Sequence, residues 1–275
     1  MRIGLKKSKK ADKNVLVLRT CGEDLRSYCG FQWPKKGPVE CPDWDPQPVC
    51  GHGLHGLLWG CGEAALLDLE KPAWWLVVRV RASEIVDLGG KVKFPRGEVI
   101  LATRERDAAV RYLLDHGAHD KPVAFRKAIA GKYGRATVGD FGQATAGEEG
   151  HAIAGKHGQA TAGDFGRAIV GDYGQATAGE GGQATAGNYG QATAGDLGQA
   201  IAGDYGRATA DNGGKATAGI GGIIAIQWWD MTAQRNRLAV GYPGENGIKP
   251  NTPYKLDHTG RFVEVEANEE TGRQG

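Results

Sequence analysis

Five residues between positions 41 and 61 have the types and spacing to do chemistry: Cys41, Cys50, His52, His55 and Cys61, in the order C-x8-C-x-H-x2-H-x5-C. Thiols and imidazoles at short intervals are zinc ligands. The C-x2-C knuckle of common structural zinc sites is missing, so the segment reads as a Gly-His turn with buried thiols and no metal. The chain's 5 cysteines all fall in its first quarter. An odd number with no secretion signal favours reduced thiols over a disulfide framework.

A second chemical series lies further on. Phe141, His157, Tyr173, Tyr189 and Tyr205 recur every 16 residues. Rings stacked one above another can hold bases or sugars, or can simply stabilise a corner of the fold. A third series is Thr145, Thr161, Thr177, Thr193 and Thr209 at the same interval, a single rank of hydroxyls like those of ice-binding surfaces. Such surfaces use two ranks side by side, and alanines are the expected neighbours here. An enzymatic alternative concerns residues 1–122, where Arg19, a Gly-Leu-His motif at 53–55 and WWLVVRVR at 74–81 follow the layout of ADP-ribosyltransferase domains. Nothing marks the orienting glutamate or nicotinamide pocket such an enzyme needs. No phosphate loop, nucleotide fingerprint or nucleophile elbow is present either. The expectation is a non-enzyme with no catalytic residue and no cofactor.

These series need an element that repeats. Glycine supplies 45 of 275 residues, about twice the usual share of about 7%. From position 131 to 226 the chain runs in eight-residue units of the form G-x-x-G-x-A-[TI]-A. Short strands between glycine-paired turns are the signature of a β-solenoid. The glycines are expected to supply backbone angles that other residues resist. Numbering units from Gly131, Ile153, Ile169 and Ile201 replace threonine only in odd units, and Val138 and Val170 replace the last alanine only in odd units. The recurrent aromatics sit in even units. One coil therefore holds two units, 16 residues with two unlike faces, and six coils at about 4.8 Å each make a rod roughly 29 Å long.

The sixth position of each unit is alanine until Ile224, which places the alanines inside a thin core and the Thr/Ile rank outside. The opposite assignment would bury a rank of hydroxyls in need of partners. With alanine inside, Ile153, Ile169 and Ile201 form an apolar strip on the odd face, a surface for self-association or another protein.

The flanks complete the plan. Residues 1–122 read as an α+β domain, with strands at 15–19, 74–81 and 98–101, a loop-heavy stretch at 30–61, and a helix over 103–116 stopped by Gly117. This domain is expected to cap one end of the solenoid at 123–226. Residues 227–275 read as an antiparallel β cap, with a frayed tail at 267–275. The formal charge is only +2, and within 131–226 six basic residues meet nine acidic ones. That argues against nucleic acid as a partner. No apolar stretch reaches the roughly 20 residues of a membrane span, so a cytoplasmic protein with no membrane contact is expected.

CGFQWP at 29–34, VECPDWDP at 39–46, VCGHGLHGLLWG at 49–60, the ATAGDYG units and GENGIKPNTPY at 244–254 together resemble a family of uncharacterised bacterial and phage proteins. These join a short N-terminal domain to a glycine-alanine octapeptide solenoid. The resemblance implies the same fold and, by analogy, a phage-associated inhibitor or sequestering protein. In style the units are also similar to ice-nucleation repeats and to the head repeats of trimeric autotransporter adhesins. The reading taken is a mainly β protein acting as a non-enzymatic interaction module, with Ile153, Ile169, Ile201 and the aromatic series as its partner-binding residues. The alternatives are an enzyme in residues 1–122 and an ice- or glycan-binding rod.

Overall fold

A computed structural model describes residues 13–69 and 72–265; the tail expected at 267–275 lies outside them. Contacts divide the chain into two compact units, Met1–Lys121 and Pro122–Gly275.

Among its described residues the first unit is an antiparallel sheet of seven strands: β1 (Asn14–Cys21), β2 (Gly37–Glu40), β3 (Leu54–Leu58), β4 (Trp74–Arg81), β5 (Val86–Asp87), β6 (Val92–Phe94) and β7 (Arg96–Thr103). Their order is β2-β7-β4-β1-β3-β6-β5. Alternation in β1 and β4 sends Val17, Cys21, Leu76, Val78 and Val80 to one core, shared with Trp33 and Phe94. Helix α1 (Arg106–Leu113) buries Ala109, Val110 and Leu113. It is shorter than the sequence suggests, because the backbone stays extended through Thr103, whose Oγ1 accepts the Glu105 N–H at 3.0 Å. The stop holds: Gly117 takes φ +116°.

The second unit is a parallel β-solenoid with a 16-residue coil. Thr145 pairs with Thr161, and Ile153 with Ile169, each across one coil. Even strands build one sheet and odd strands the other. Both alanines of each strand point inward: Ala144, Ala160, Ala176, Ala192 and Ala208 are at most 2% exposed, as are Ala152, Ala168, Ala184 and Ala200 on the facing sheet. The core is two sheets meeting across methyl groups. Valine enters it only at the last strand position, Val138 and Val170.

The reason for the paired glycines differs from the expected one. Their φ values are ordinary. It is the residue between them, third in each unit, that takes φ near +55°, as in Tyr133, Phe141, His157, Phe165 and Tyr173. Each corner is a turn closed by a bond such as Gly166 N–H to Gly163 O at 3.0 Å, with its positive φ at the third of four residues. The glycines are needed because coils touch there. A Cβ on Gly163 would lie 2.7 Å from Glu148 N, and one on Gly166 2.8 Å from Gly163 O and 3.0 Å from Gly150 O.

The coil also begins earlier than the glycine pattern indicates. Residues 123–130 are a further unit in which Val123 and Arg126 stand at the glycine positions. Lys127–Ala130 pairs in register with Gln143–Ala146, and the Phe125 N–H donates to Asp140 O at 2.8 Å, as the corners from Tyr133 to Tyr205 do to the coil after them. At the far end Ile224 and Ile226 fill the width that alanines leave, and Ile248, Tyr254 and Phe262 close over them. Arg235–Gly241 extends the even sheet antiparallel to Ile223–Asp230, while Tyr254–Leu256 joins the odd sheet and pairs with Phe262–Glu264.

Candidate functional site

The residues of the metal-like cluster are dispersed. Cys41 Sγ donates to Asp43 Oδ1 at 2.9 Å and His52 Nδ1 meets Asp43 Oδ2 at 3.0 Å, whereas Cys50 faces Lys91 Nζ at 3.1 Å and Cys61 the Trp59 carbonyl. Among the described residues no three His, Cys, Asp or Glu side chains converge as metal ligands do. Burial raises the Cys41 thiol and pushes that of Cys61 up to about 11, which keeps both protonated.

Arg19 and His55 do meet, in an architectural role. Arg19 Nη1 donates to the His55 carbonyl at 2.8 Å while its guanidinium lies 4.6 Å over the Trp33 ring. Burial, then Lys91, Arg19 and Lys93, lower the His55 ring to about 4. The charged groups that shift this ring are all cations. Lys93 is itself buried, donating to Val49 O at 2.8 Å and lying over Trp44.

The solenoid corners carry the aromatic series, and it is longer than the sequence series by one ring. Phe125, Phe141, His157, Tyr173, Tyr189 and Tyr205 form a continuous stack with centroids 4.8–5.3 Å apart and planes within 13°. A left-handed backbone costs about 1–2 kcal/mol per non-glycine residue, and a stacked pair returns about 0.5–1.5 kcal/mol. The stack thus offsets the strain of the corner it occupies. On the other edge, after Tyr133 and Glu149, large residues alternate with glycine: Phe165 lies flat over Gly181 and Leu197 over Gly213, where an added Cβ would come within 2.8 Å. That alternation is why the odd units lack a continuous aromatic series.

Side-chain bonds from the second position of six turns tie neighbouring corners together and were not read from the sequence. Asp140, Asp164, Asp172, Asn188, Asp196 and Asp204 each accept, through Oδ1, the backbone N–H of the residue 16 further on, at 2.8–3.1 Å. The recurrent Asp/Asn at this position was its signal.

The two outer faces differ. The odd face carries Arg135, His151, Arg167, Gln183, Gln199 and Lys215 beside the rank Thr137, Ile153, Ile169, Thr185, Ile201 and Thr217. The three isoleucines do project outward, Ile153 and Ile169 on adjacent coils, but each is half-buried among its neighbours. The even face is more open. Thr145, Thr161, Thr177 and Thr193 are exposed, Thr209 partly so. The rank beside them is glutamine and not alanine, because strand alternation turns the alanines inward and Gln143, Gln159, Gln175 and Gln191 outward. Two ranks about 6.6 Å apart, repeating at about 4.8 Å, make a rigid grid of hydroxyls, methyls and amides.

No family profile matches the chain, and no solved structure matches it. Similar curated proteins do exist. An ice nucleation protein of Xanthomonas campestris pv. translucens is 38% identical over 113 residues, 40% of this chain and 7% of its own length. Those of Pseudomonas fluorescens and Pseudomonas syringae are 40% identical over 106 residues and 43% over 88, covering 38% and 31% of this chain. The chain thus spans less than a tenth of these relatives, 7, 9 and 8% of their lengths in turn. The matched stretch is close in length to the repeat block.

Proposed function

We propose that this chain is a non-enzymatic, solenoid-based binder of ice, acting through the even face. The observation that carries the reading is the in-register double rank of Thr145, Thr161, Thr177 and Thr193 beside Gln143, Gln159, Gln175 and Gln191 on an exposed flat sheet. Fixing a surface water costs up to about 2 kcal/mol of entropy. Donors already held on a lattice by the solenoid spread that ordering over many cooperating sites. The similarity to bacterial ice nucleation proteins supports the same chemistry; nothing in those relatives supports a phage-associated inhibitor. A rod of about six coils, roughly 29 Å, is a small template. Adsorption to existing ice, slowing its growth, suits that area better than starting a new crystal. The test is ice-affinity partitioning of labelled protein into a growing ice hemisphere. Wild type is expected to enter the ice and a Thr161→Lys/Thr177→Lys variant to stay in the liquid. Equal exclusion of both sinks the reading.

The apolar strip supports a second, compatible contact. Ile153, Ile169 and Ile201 leave the odd face suited to a second copy or another protein, with the even face free for water. Full burial of such side chains gives about 1.5–3 kcal/mol each, and less here because they are already half covered. The exposed edges of Tyr173, Tyr189 and Tyr205 border the same rod and remain open to a partner. Light scattering of wild type against an Ile153→Thr/Ile169→Thr/Ile201→Thr variant decides this contact; a monomer in both at every concentration excludes self-association.

A further inference from the structure

The even sheet of the solenoid ends in a free edge. Its last strand, Arg235–Gly241, pairs with Ile223–Asp230 on one side and with no strand on the other among the described residues. A free edge is a row of unpaired N–H and C=O groups, and natural proteins keep such edges short, bulged or interrupted by proline. At the edges of the seven-stranded sheet, and at this end of the odd sheet, the rule is kept. β2 carries Pro38 among its four residues, β5 has two residues, and Phe262–Glu264 has three. Arg235–Gly241 has seven, no proline, and an unbroken register to its neighbour. Its outward side is apolar as well. Ala225, Gln227 and Trp229 continue the outward rank of Thr209, and Val240, Leu238 and Asn236 stand opposite them. Trp229, Leu238 and Val240 are 45, 58 and 45% exposed, and an exposed apolar patch of this kind marks a contact surface.

We propose that the edge strand Arg235–Gly241 pairs antiparallel with the same strand of a second copy of this chain, about a two-fold axis at Leu238, joining two rods end to end. Leu238 is the middle of the seven residues, so this register uses the whole edge. The strand is complementary to its own reverse. Arg235 falls opposite Gly241 of the second copy, Arg237 opposite Ala239, and Leu238 meets Leu238. Each long cation thus faces one of the smallest residues, and no two arginines meet, where like charges directly opposite would be destabilising. Arg237 is in addition held by Asp230 of its own chain. A contact that uses the same patch on both partners closes at two copies. Residues directly opposite in antiparallel strands share a face, so the axis stands normal to the sheet and both threonine–glutamine faces look the same way. For the ice-binding reading, on which only this consequence rests, the pairing sets two such planes in one continuous sheet. One strand and three apolar side chains per copy make a small interface, and hence a concentration-dependent dimer.

Sedimentation equilibrium of the full chain reads the pairing whether or not the even face takes up ice. The mass is expected to rise from 29.1 kDa in dilute solution to twice that value when concentrated, with Kd on the order of 100 μM. The Ile153→Thr/Ile169→Thr/Ile201→Thr variant, which removes the odd-face contact, is expected to keep this dimer. In wild type, alternate backbone amides of residues 235–241 are expected to slow in hydrogen exchange as concentration rises. Leu238→Lys and Leu238→Glu alter an exposed residue, and each sets like charges face to face across the axis, weakening the dimer about tenfold or more. An equimolar mixture of the two sets lysine against glutamate and is expected to restore a dimer holding one copy of each. Circular dichroism checks that both are folded. The proposal is overturned if wild type stays monomeric at every concentration, if both charge variants pair as wild type does, or if their mixture stays monomeric.

Discussion

Replacing Ala176 with leucine tests the methyl-thin core. Ala176 is 1% exposed, pairs in register with Ala160 and Ala192, and faces the alanines of the odd sheet. Leucine adds three carbons where the sheet separation is set by one. The sheets cannot part locally without breaking ladder bonds on both neighbouring coils, so the expected cost is about 1–3 kcal/mol or more. For a unit of this size, each kcal/mol lowers Tm by about 2–4 °C, giving a drop of about 2–12 °C by circular dichroism. Two companions set the scale. Thr177→Ser changes an exposed outward residue and should stay within about 0.5 kcal/mol. Ala178→Val places valine at the strand position where Val138 and Val170 already sit buried and should be milder than Ala176→Leu. If the Ala176→Leu variant melts with the wild type, or Thr177→Ser is the more damaging change, the inward assignment fails.

Duplicating residues 171–186 adds one whole coil and should leave the denaturation midpoint nearly unchanged. Duplicating 171–178 exchanges the faces of every later strand and the sheets that meet the cap, so urea titration should show a large loss of stability. At the aromatic edge, Tyr189 has φ +56° and stacks 5.0 Å from both Tyr173 and Tyr205. Tyr189→Ala loses the stack and keeps the backbone strain, whereas Tyr189→Gly loses only the stack; glycine should therefore be the less harmful by about 1 kcal/mol, and the reverse order in chemical denaturation refutes the offset. His55 in the folded state titrates near 4 against 6.5 unfolded. The unfolded chain then binds more protons between these values, so this contribution is complete above pH 6.5 and is lost as pH falls towards 4. With the ring half-buried, solvent screening reduces the effect to about 1–2 kcal/mol. A His55→Leu variant whose stability falls as steeply as wild type between pH 7 and 4.5 contradicts it.

The solenoid was legible in the sequence because every level of its order leaves a residue-level trace. Odd-only Ile153, Ile169 and Ile201 give the coil length, and the unbroken alanine at the sixth position gives the inside. The glycine key counts units only from Gly131, although the solenoid bounds of 123–226 already take in one more. The unit at 123–130 has Val123 and Arg126 at the glycine positions and was visible only through its F-x-x-A-I-A ending. Glycine itself was assigned the wrong cause, since coil-to-coil contact is a tertiary fact that a corner's sequence does not display. The glutamine rank was overlooked by counting Thr's sequence neighbours, which face the core, and not its neighbours two residues away. In the first unit β5 and β6 have two and three residues, too few to show alternation, and nothing local announces that Lys93 is buried.

The most direct measurement is ice partitioning with the two faces of the rod altered separately. A lysine pair on the even face, Thr161→Lys/Thr177→Lys, is compared with a pair on the odd face, Ile153→Lys/Ile169→Lys, each checked for a wild-type circular dichroism spectrum. The account predicts that the even-face pair is excluded from growing ice while the odd-face pair enters it as wild type does. Exclusion of the odd-face pair with entry of the even-face pair, or indifference to both, contradicts it.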